Sequence, residues 1–462
     1  MAVDWQDPRF RVIIIIAAIF ILGIFLGQIV TGFSYKITLA LILSALIFII
    51  TLVNTDVGLA VLIFSMLLSP EIILGQVPGR DIIVRFDDLL LIVITFAWLA
   101  KTAINKGLAL FVRTPLNKAI SIYILVCLIS TLRGAALGYV DAPKGLFYIL
   151  RYTEYFLLYI LVVNHIHSRK QIKFFINAFF ITCALVSIYG IIQIPSGVRV
   201  SAPFEGEIGE PNTFGGYLLL ILCIAIGIFL QNVPQRLKYI LAGLCVLIIF
   251  PFLYTLSRAS YLAIIFSFLA FAILSKRRVV LVTAIVTIII LGLSIKPEVV
   301  FSRVEYTFQE KHEALAKIGN IYFDASSSAR LFSWQDSFRE WKKSPLLGRG
   351  ITGYRFIDGQ YIRTLPELGI IGFLALLWLL WSIFKHSLVV YKKLDDEFFK
   401  GLSLGFIAGF MGLIIHALTA NTFIIIRIME PFWFIAGIIM VLPAFAEKAS
   451  ETSEGLRAEL KG

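Results

Sequence analysis

Charge is what this sequence has least of. Only 15% of its 462 residues are Asp, Glu, Lys or Arg, while 59% are hydrophobic and the mean hydropathy is +0.91. A water-soluble domain of this size needs far more polar surface to face its solvent, so that class is excluded. Cysteine is scarce as well. Cys127, Cys183, Cys223 and Cys245 all sit inside apolar runs without metal or redox spacing, which implies no disulfide framework and no metal. The five histidines are scattered. His312, His386 and His416 stand alone, His165 and His167 flank a polar loop, and none has a metal-ligand neighbour at helical spacing. A glycine-rich phosphate loop and a nucleophile elbow are both missing, which leaves ATP-driven transport and serine hydrolysis without support. The first apolar run, from about Arg11, is too long for a cleavable signal peptide and lacks a small-residue cleavage site.

What the chain has in abundance is long apolar runs. Crossing a bilayer takes roughly 17–25 residues, and windowed hydropathy gives about fourteen candidate spans. They lie near 12–33, 37–53, 57–74, 89–104, 119–137, 145–164, 173–193, 213–231, 238–256, 260–275, 279–296, 368–385, 401–422 and 427–446. Twelve spans with two re-entrant or tilted pieces fit the same pattern. The expected fold is therefore an all-α polytopic membrane protein of about 12–14 transmembrane helices. Its expected organisation is a bundle over 1–296, a large loop over 297–367, C-terminal spans over 368–446 and a tail over 447–462. The net charge of +12 comes from basic residues clustered in short loops, at Lys101 to Lys118, Arg169 to Lys173, Arg236 and Lys238, Lys276 to Arg278, and Lys385 to Lys393. With every span alternating, all of these fall on one side, which the positive-inside bias makes the cytoplasm. Both termini and the tail join them, and no basic reader face for nucleic acid is visible.

The opposite side holds the informative residues. Within 297–367, Leu331, Trp334, Phe338 and Trp341 recur at helical spacing, and Gly348, Gly350 and Gly353 then interrupt helix formation. Arginines facing away from the cytoplasm run against the usual bias. Arg258 lies where a span meets the surface, Arg330 opens the amphipathic stretch, and Arg303, Arg339, Arg349, Arg355 and Arg363 share their side. Such a cluster suits an anion, because the guanidinium fork matches phosphate. Pairing with Glu305, Glu310, Glu340 and Glu367, or with lipid headgroups, is the alternative. Arg151 and Glu154, three apart inside an apolar run, read either as an ion pair fixing helix packing or as an intramembrane functional site. Glu210–Pro211–Asn212 reads as a helix entry with Asn212 as its cap.

Taken in order, SAPF…EPNTFGGYL, LSRASYL, ARLFSWQDSF…SPLLGRGITGYRF and DGQYIRTLPELGIIGF resemble the O-antigen ligase/polymerase superfamily, from about Arg151 to Phe373. The resemblance implies a GT-C-like membrane glycosyltransferase. It would take a polyprenyl-diphosphate-linked glycan as donor, act at the outer leaflet of the bacterial inner membrane, and need neither metal nor other cofactor. By the same resemblance, Arg258 and Arg330 hold the donor diphosphate. Where ligases commonly carry His-Asn, nine residues before the glutamate of the ELGIIG-like helix, this sequence has Asp358 and Gly359, with Glu367 in register. That departure favours a polymerase or another transferase over a lipid A-core ligase. An aspartate can serve as general base, since the role requires reach and a suitable pKa. Asp358 is thus the first catalytic candidate, ahead of Glu210 and Glu367, with Arg151, Glu154, Asn212 and Tyr361 in support. As a plain helix cap, Asp358 would instead precede a first turn at Gly359–Tyr361. The acceptor is a glycan, lipid or protein, and the other partners are membrane lipids. A transporter or flippase for a lipid-linked saccharide or another anion is the competing class, although no matched pair of interrupted spans marks two inverted halves.

Overall fold

The computed structural model describes residues 46–77, 80–104, 112–205, 209–275, 317–318, 321–322 and 325–459. The spans expected at 12–33 and 279–296, Arg303, and the acidic residues Glu305 and Glu310 lie outside them. The chain is an all-α polytopic membrane protein. Its helices are α1 (Thr55–Leu68), α2 (Phe86–Ile104), α3 (Asn117–Ala136), α4 (Ala142–His165), α5 (Arg169–Gln193) and α6 (Pro211–Phe229). There follow α7 (Gln235–Tyr254), α8 (Arg258–Leu274), α9 (Ala325–Trp341), α10 (Gln360–Lys393), α11 (Glu397–His416) and α12 (Ile426–Glu459). Two small antiparallel hairpins punctuate them, β1 (Glu71–Val77) with β2 (Arg80–Arg85), and β3 (Lys317–Ile318) with β4 (Ile321–Tyr322). Among the described residues, eight helices are long and apolar enough to cross a membrane, and α1 and α8 are shorter apolar helices.

Polar residues set where these helices start. Ser168 and Gln171 form a reciprocal capping box on α5, and Asp396 accepts from the amides of Phe398 and Phe399 at the head of α11. At the head of α8, Ser257 accepts from the amide of Ser260 at 3.2 Å. The expected cap at Asn212 is corrected. Proline needs no amide partner and fits the first helical position, so Pro211 opens α6 and Glu210 takes the cap position without a side-chain cap bond.

Burial separates central from peripheral helices. In α6 83% of the apolar window is buried, and in α11 and α12 78%, whereas in α7 only 28% is. Tyr239, Ile240 and Val246 of α7, and Ile265 and Ile273 of α8, are exposed apolar residues, as expected where lipid replaces water as the neighbour. Helices α6 and α11 cross closely, because Gly227 faces the backbone of Gly401 and Gly405; a Cβ at Gly227 would lie 2.4 Å from the Gly401 carbonyl oxygen. Close approach through small residues is how membrane helices gain packing energy without a hydrophobic drive between them.

The kink in α10 explains the glycine-rich segment before it. Gly369 has φ 65° and ψ −168°, so the helix breaks and the bonds that would join residues 366 and 367 to 370 and 371 are lost. The 345–350 segment replaces them on both sides. The amides of Arg349 and Gly350 donate to the carbonyls of Pro366 and Glu367 at 2.9 and 2.7 Å. The amides of Ile370 and Ile371 donate to the carbonyls of Pro345 and Leu346 at 2.8 and 3.1 Å. Buried backbone groups are satisfied in this way although the helix is interrupted. Gly348 (φ 62°) lies so close that a Cβ would meet the Glu367 carbonyl at 2.5 Å. Helix α3 closes the other side, with Ser130 donating to the carbonyls of Leu347 and Glu367 and Arg133 to that of Gly348.

Candidate functional site

The arginines on the loop side sort into three environments. Arg349 pairs with Glu340 and lies over the Tyr139 ring, and Arg363 pairs with Glu367 at 3.1 Å, both side chains nearly fully buried. These are structural counter-charges of the packed loop. Arg339 is exposed and reaches Asp336 at 3.4 Å. Arg330 and Arg355 differ from all of these because they line an open cleft of about 400 Å³. Ala329, Ser333, Phe356, Ile357 and Asp358 complete its walls.

Arg330 and Asp358 meet across this cleft. The guanidinium Nε and Nη2 donate to Asp358 Oδ2 at 3.3 and 3.2 Å, and the carboxylate remains nearly half exposed. Asp358 does not cap α10; Gly359 holds the cap position and makes no side-chain cap bond. Its backbone is fixed from three directions. Trp334 Nε1 donates to the Asp358 carbonyl at 3.2 Å, Asn421 Nδ2 to the Ile357 carbonyl at 2.8 Å, and the Gln360 amide to the Ala417 carbonyl at 2.9 Å. Gly359 adopts φ 103°, and a Cβ there would meet the Leu418 carbonyl at 2.9 Å, so the position favours glycine on both counts. The Asp358 carboxylate therefore stands on a firmly tied backbone in the wall of an open cleft, with Oδ2 bonded to Arg330.

The other candidates lie elsewhere. Glu367 is buried with Arg363 and accepts from the Thr352 amide at 3.3 Å. Tyr361 donates to the Ile414 carbonyl at 2.9 Å. Both hold α10 in place. Glu210 accepts from the Thr213 hydroxyl at 2.6 Å. Asn212 Oδ1 accepts from Arg199 Nη2 at 3.4 Å, while Arg199 also donates to the carbonyls of Thr255 and Leu256. Arg258 begins α8 two residues further on, so Arg258, Glu210 and Asn212 belong to a junction of span ends and are not among the residues lining the cleft.

Arg151 pairs with Asp88 at 2.8 Å, and this bond opens onto a cluster that reading along the chain did not reveal. Arg85 reaches Asp87 at 2.8 Å and Glu430 at 3.9 Å, and the three side chains are almost completely buried. Glu154 packs against the same carboxylates. Carboxylate oxygens of Asp87, Asp88 and Glu430 lie within 4.8 Å of one another, a spacing that a cation could bridge. Arg85 stands among them and supplies the counter-charge, so the cluster reads as an ionic joint between α2, α4 and α12. Buried charges of this kind must be paired, and the loss of one partner leaves the other uncompensated.

A second joint ties down residues 202–205 and Glu210. Arg427 Nη1 donates to the carbonyls of Leu67 and Pro203, Nη2 donates to those of Ser69 and Phe204, and Nε lies 3.9 Å from Glu205. Glu205 Oε2 accepts from the amides of Ala202 and Glu210 at 3.1 and 2.9 Å. Burial pushes the Glu205 carboxyl up to about 8, with Arg427 opposing and Glu210 adding to the rise. Between the ordinary carboxylate value and about 8, the folded state keeps a proton that the unfolded chain has released, so stability falls as pH rises through that window. Hydrogen exchange at the Ala202 and Glu210 amides is therefore expected to speed up from pH 5 to pH 8, after correction for intrinsic rates. Glu205→Gln should flatten that dependence; an unchanged slope in this variant would assign it to another group.

Comparison with known proteins adds one match. Residues 243–377 fit the family model described as O-Antigen ligase, a stretch that takes in α8, α9, the kink of α10 and every residue lining the cleft. No curated protein matches the chain.

Proposed function

Proceeding from the O-antigen ligase match over residues 243–377, which supports the O-antigen ligase/polymerase superfamily, we propose that this protein is an inverting membrane glycosyltransferase. Its donor is a glycan joined through C1 to a polyprenyl diphosphate, and its acceptor is a second lipid-linked glycan or another envelope hydroxyl. The observation that carries the reading is the Arg330–Asp358 pair facing an open cleft. The two residues supply opposite halves of a displacement. The acceptor hydroxyl forms the new bond to C1, its proton passes to Asp358, and the bond from C1 to the diphosphate oxygen breaks. Arg330 stabilises the charge arriving on the departing diphosphate. Guanidinium charge does this without a metal or another cofactor.

The resting ion pair gives the reaction an order. Diphosphate carries more charge than one carboxylate and competes for the same fork. Donor binding therefore draws Arg330 away and frees Asp358 to accept a proton. The family resemblance also assigns Arg258 to the donor, but Arg258 lies at the span-end junction and is not among the residues lining the cleft. The cleft faces away from the cytoplasm of a bacterial inner membrane, with the basic loops and both termini inside. Glu210 and Glu367 are not needed as bases, since their partners in the fold account for them.

The test is direct. Purified protein incubated with a polyprenyl-diphosphate oligosaccharide should release polyprenyl diphosphate and yield a lengthened glycan, or one transferred to an added acceptor. Movement of intact lipid-linked saccharide across vesicles, with no new glycosidic bond formed, would replace the enzyme with a transporter.

A further inference from the structure

The cleft holds a second arginine that the reaction above leaves unused. Arg355 Nη2 donates to Asp336 Oδ2 at 2.9 Å, with about half of each side chain exposed. On α9, Arg330, Ser333 and Asp336 follow one another at intervals of three and share one face. The 355–358 segment runs along that face in the opposite direction, so Arg355 meets Asp336 at one end while Asp358 meets Arg330 at the other. Six residues of helix separate the two ion pairs, a rise of about 9 Å. The cleft thus has an arginine near each end and the Ser333 hydroxyl between them.

The exposure of these pairs matters for what can replace them. Ion pairs at partly exposed sites are weak, so a ligand of higher charge displaces the aspartates readily. Arg363 has no such freedom, since it is sunk against Glu367 and would leave it buried without a counter-charge, and Arg349, which shares Glu340 with Lys343, is not among the residues lining the cleft. We propose that Arg355 is the second guanidinium of the donor clamp, taking one phosphate of the diphosphate while Arg330 takes the other, with Asp336 as the placeholder that positions Arg355 before the diphosphate arrives. This rests on the reading of the cleft as the donor's phosphate site.

Inorganic pyrophosphate is the probe that separates the two ideas. In Arg355→Gln, pyrophosphate binding measured by calorimetry on the purified protein should weaken about 10- to 100-fold, the loss expected for charge-assisted hydrogen bonds. Donor KM should rise by a similar factor, acceptor KM should stay put, and Arg355→Lys should recover part of the loss. Asp336→Asn frees Arg355 from its placeholder and should tighten pyrophosphate binding. Binding and donor KM within twofold of the parent protein in Arg355→Gln would overturn the clamp, and the transferase would stand without it. Arg355-dependent pyrophosphate binding in a protein that transfers no glycan would uphold the clamp and sink the transferase. Should Arg355→Gln fail to fold, Arg355→Lys and Asp336→Asn decide, and pyrophosphate affinity unchanged in both would overturn the proposal.

Discussion

Asp358→Asn should lower the rate of glycosyl transfer by about 10²–10⁴-fold, the usual worth of general-base assistance, without altering the melting temperature by more than a degree or two. The separation of rate from stability follows from where the carboxylate points. Asp358 is not the cap of α10, so no helix-start bond is lost. Its ion pair with Arg330 is partly exposed, and pairs of that kind contribute about 0–1 kcal/mol. The backbone stays in place because Trp334 and Asn421 hold the carbonyls of Asp358 and Ile357, which the substitution leaves untouched. Asparagine keeps the size and one acceptor oxygen of the aspartate but cannot take the acceptor's proton. Single-turnover transfer on the same donor and acceptor measures the effect. Near-normal turnover in the Asn variant would remove Asp358 from the chemistry and leave it as a tether for Arg330.

What the sequence disclosed and what it hid divide by distance along the chain. Long apolar runs are local, so α3 through α7 could be anticipated to within a few residues. The amphipathic stretch from Arg330 to Trp341 is likewise local, and it forms the larger part of α9. A turn of helix starting just after Asp358 was legible, but its continuity with the span was not. Hydropathy begins the span at 368, whereas the helix begins at Gln360, because its first two turns are polar and are held by Ala417, Ala420 and the 345–350 segment. Small residues in SPLLGRG read as helix breakers; their second role, allowing the 345–350 segment to lie against the kink, depends on residues some twenty positions away.

Charged joints were the least visible. Arg85, Asp87 and Asp88 fall in a stretch that looks like an ordinary polar loop, and Glu430 sits in a distant apolar run, so nothing local links them. Arg151 looks matched to Glu154 by spacing, yet it takes Asp88, sixty-three residues away. The cleft shows the same limit. Arg330 and Asp358 could each be singled out, but their contact, and the matching contact of Arg355 with Asp336, exist only because the 355–358 segment folds back along α9.

Arg330→Gln should reduce kcat/KM for the donor by about 10²–10³-fold, the cost typical of losing one preorganised donor to transition-state charge. Arg330→Lys should fall between the two, since it restores the charge but not the fork that spans two phosphate oxygens. The pattern across substrates separates this residue from Asp358. Loss of Arg330 should weaken donor binding and pyrophosphate binding together, whereas Asp358→Asn should leave pyrophosphate binding intact or improve it, because the carboxylate no longer competes for the guanidinium. The double variant adds a sharper test. Two groups serving one displacement lose less together than the sum of their separate losses. Rates for Arg330→Gln, Asp358→Asn and the pair, measured with saturating acceptor, should show that shortfall. Strict additivity in free energy, with pyrophosphate affinity equal in all three, would mean that the ion pair seen across the cleft joins no common step.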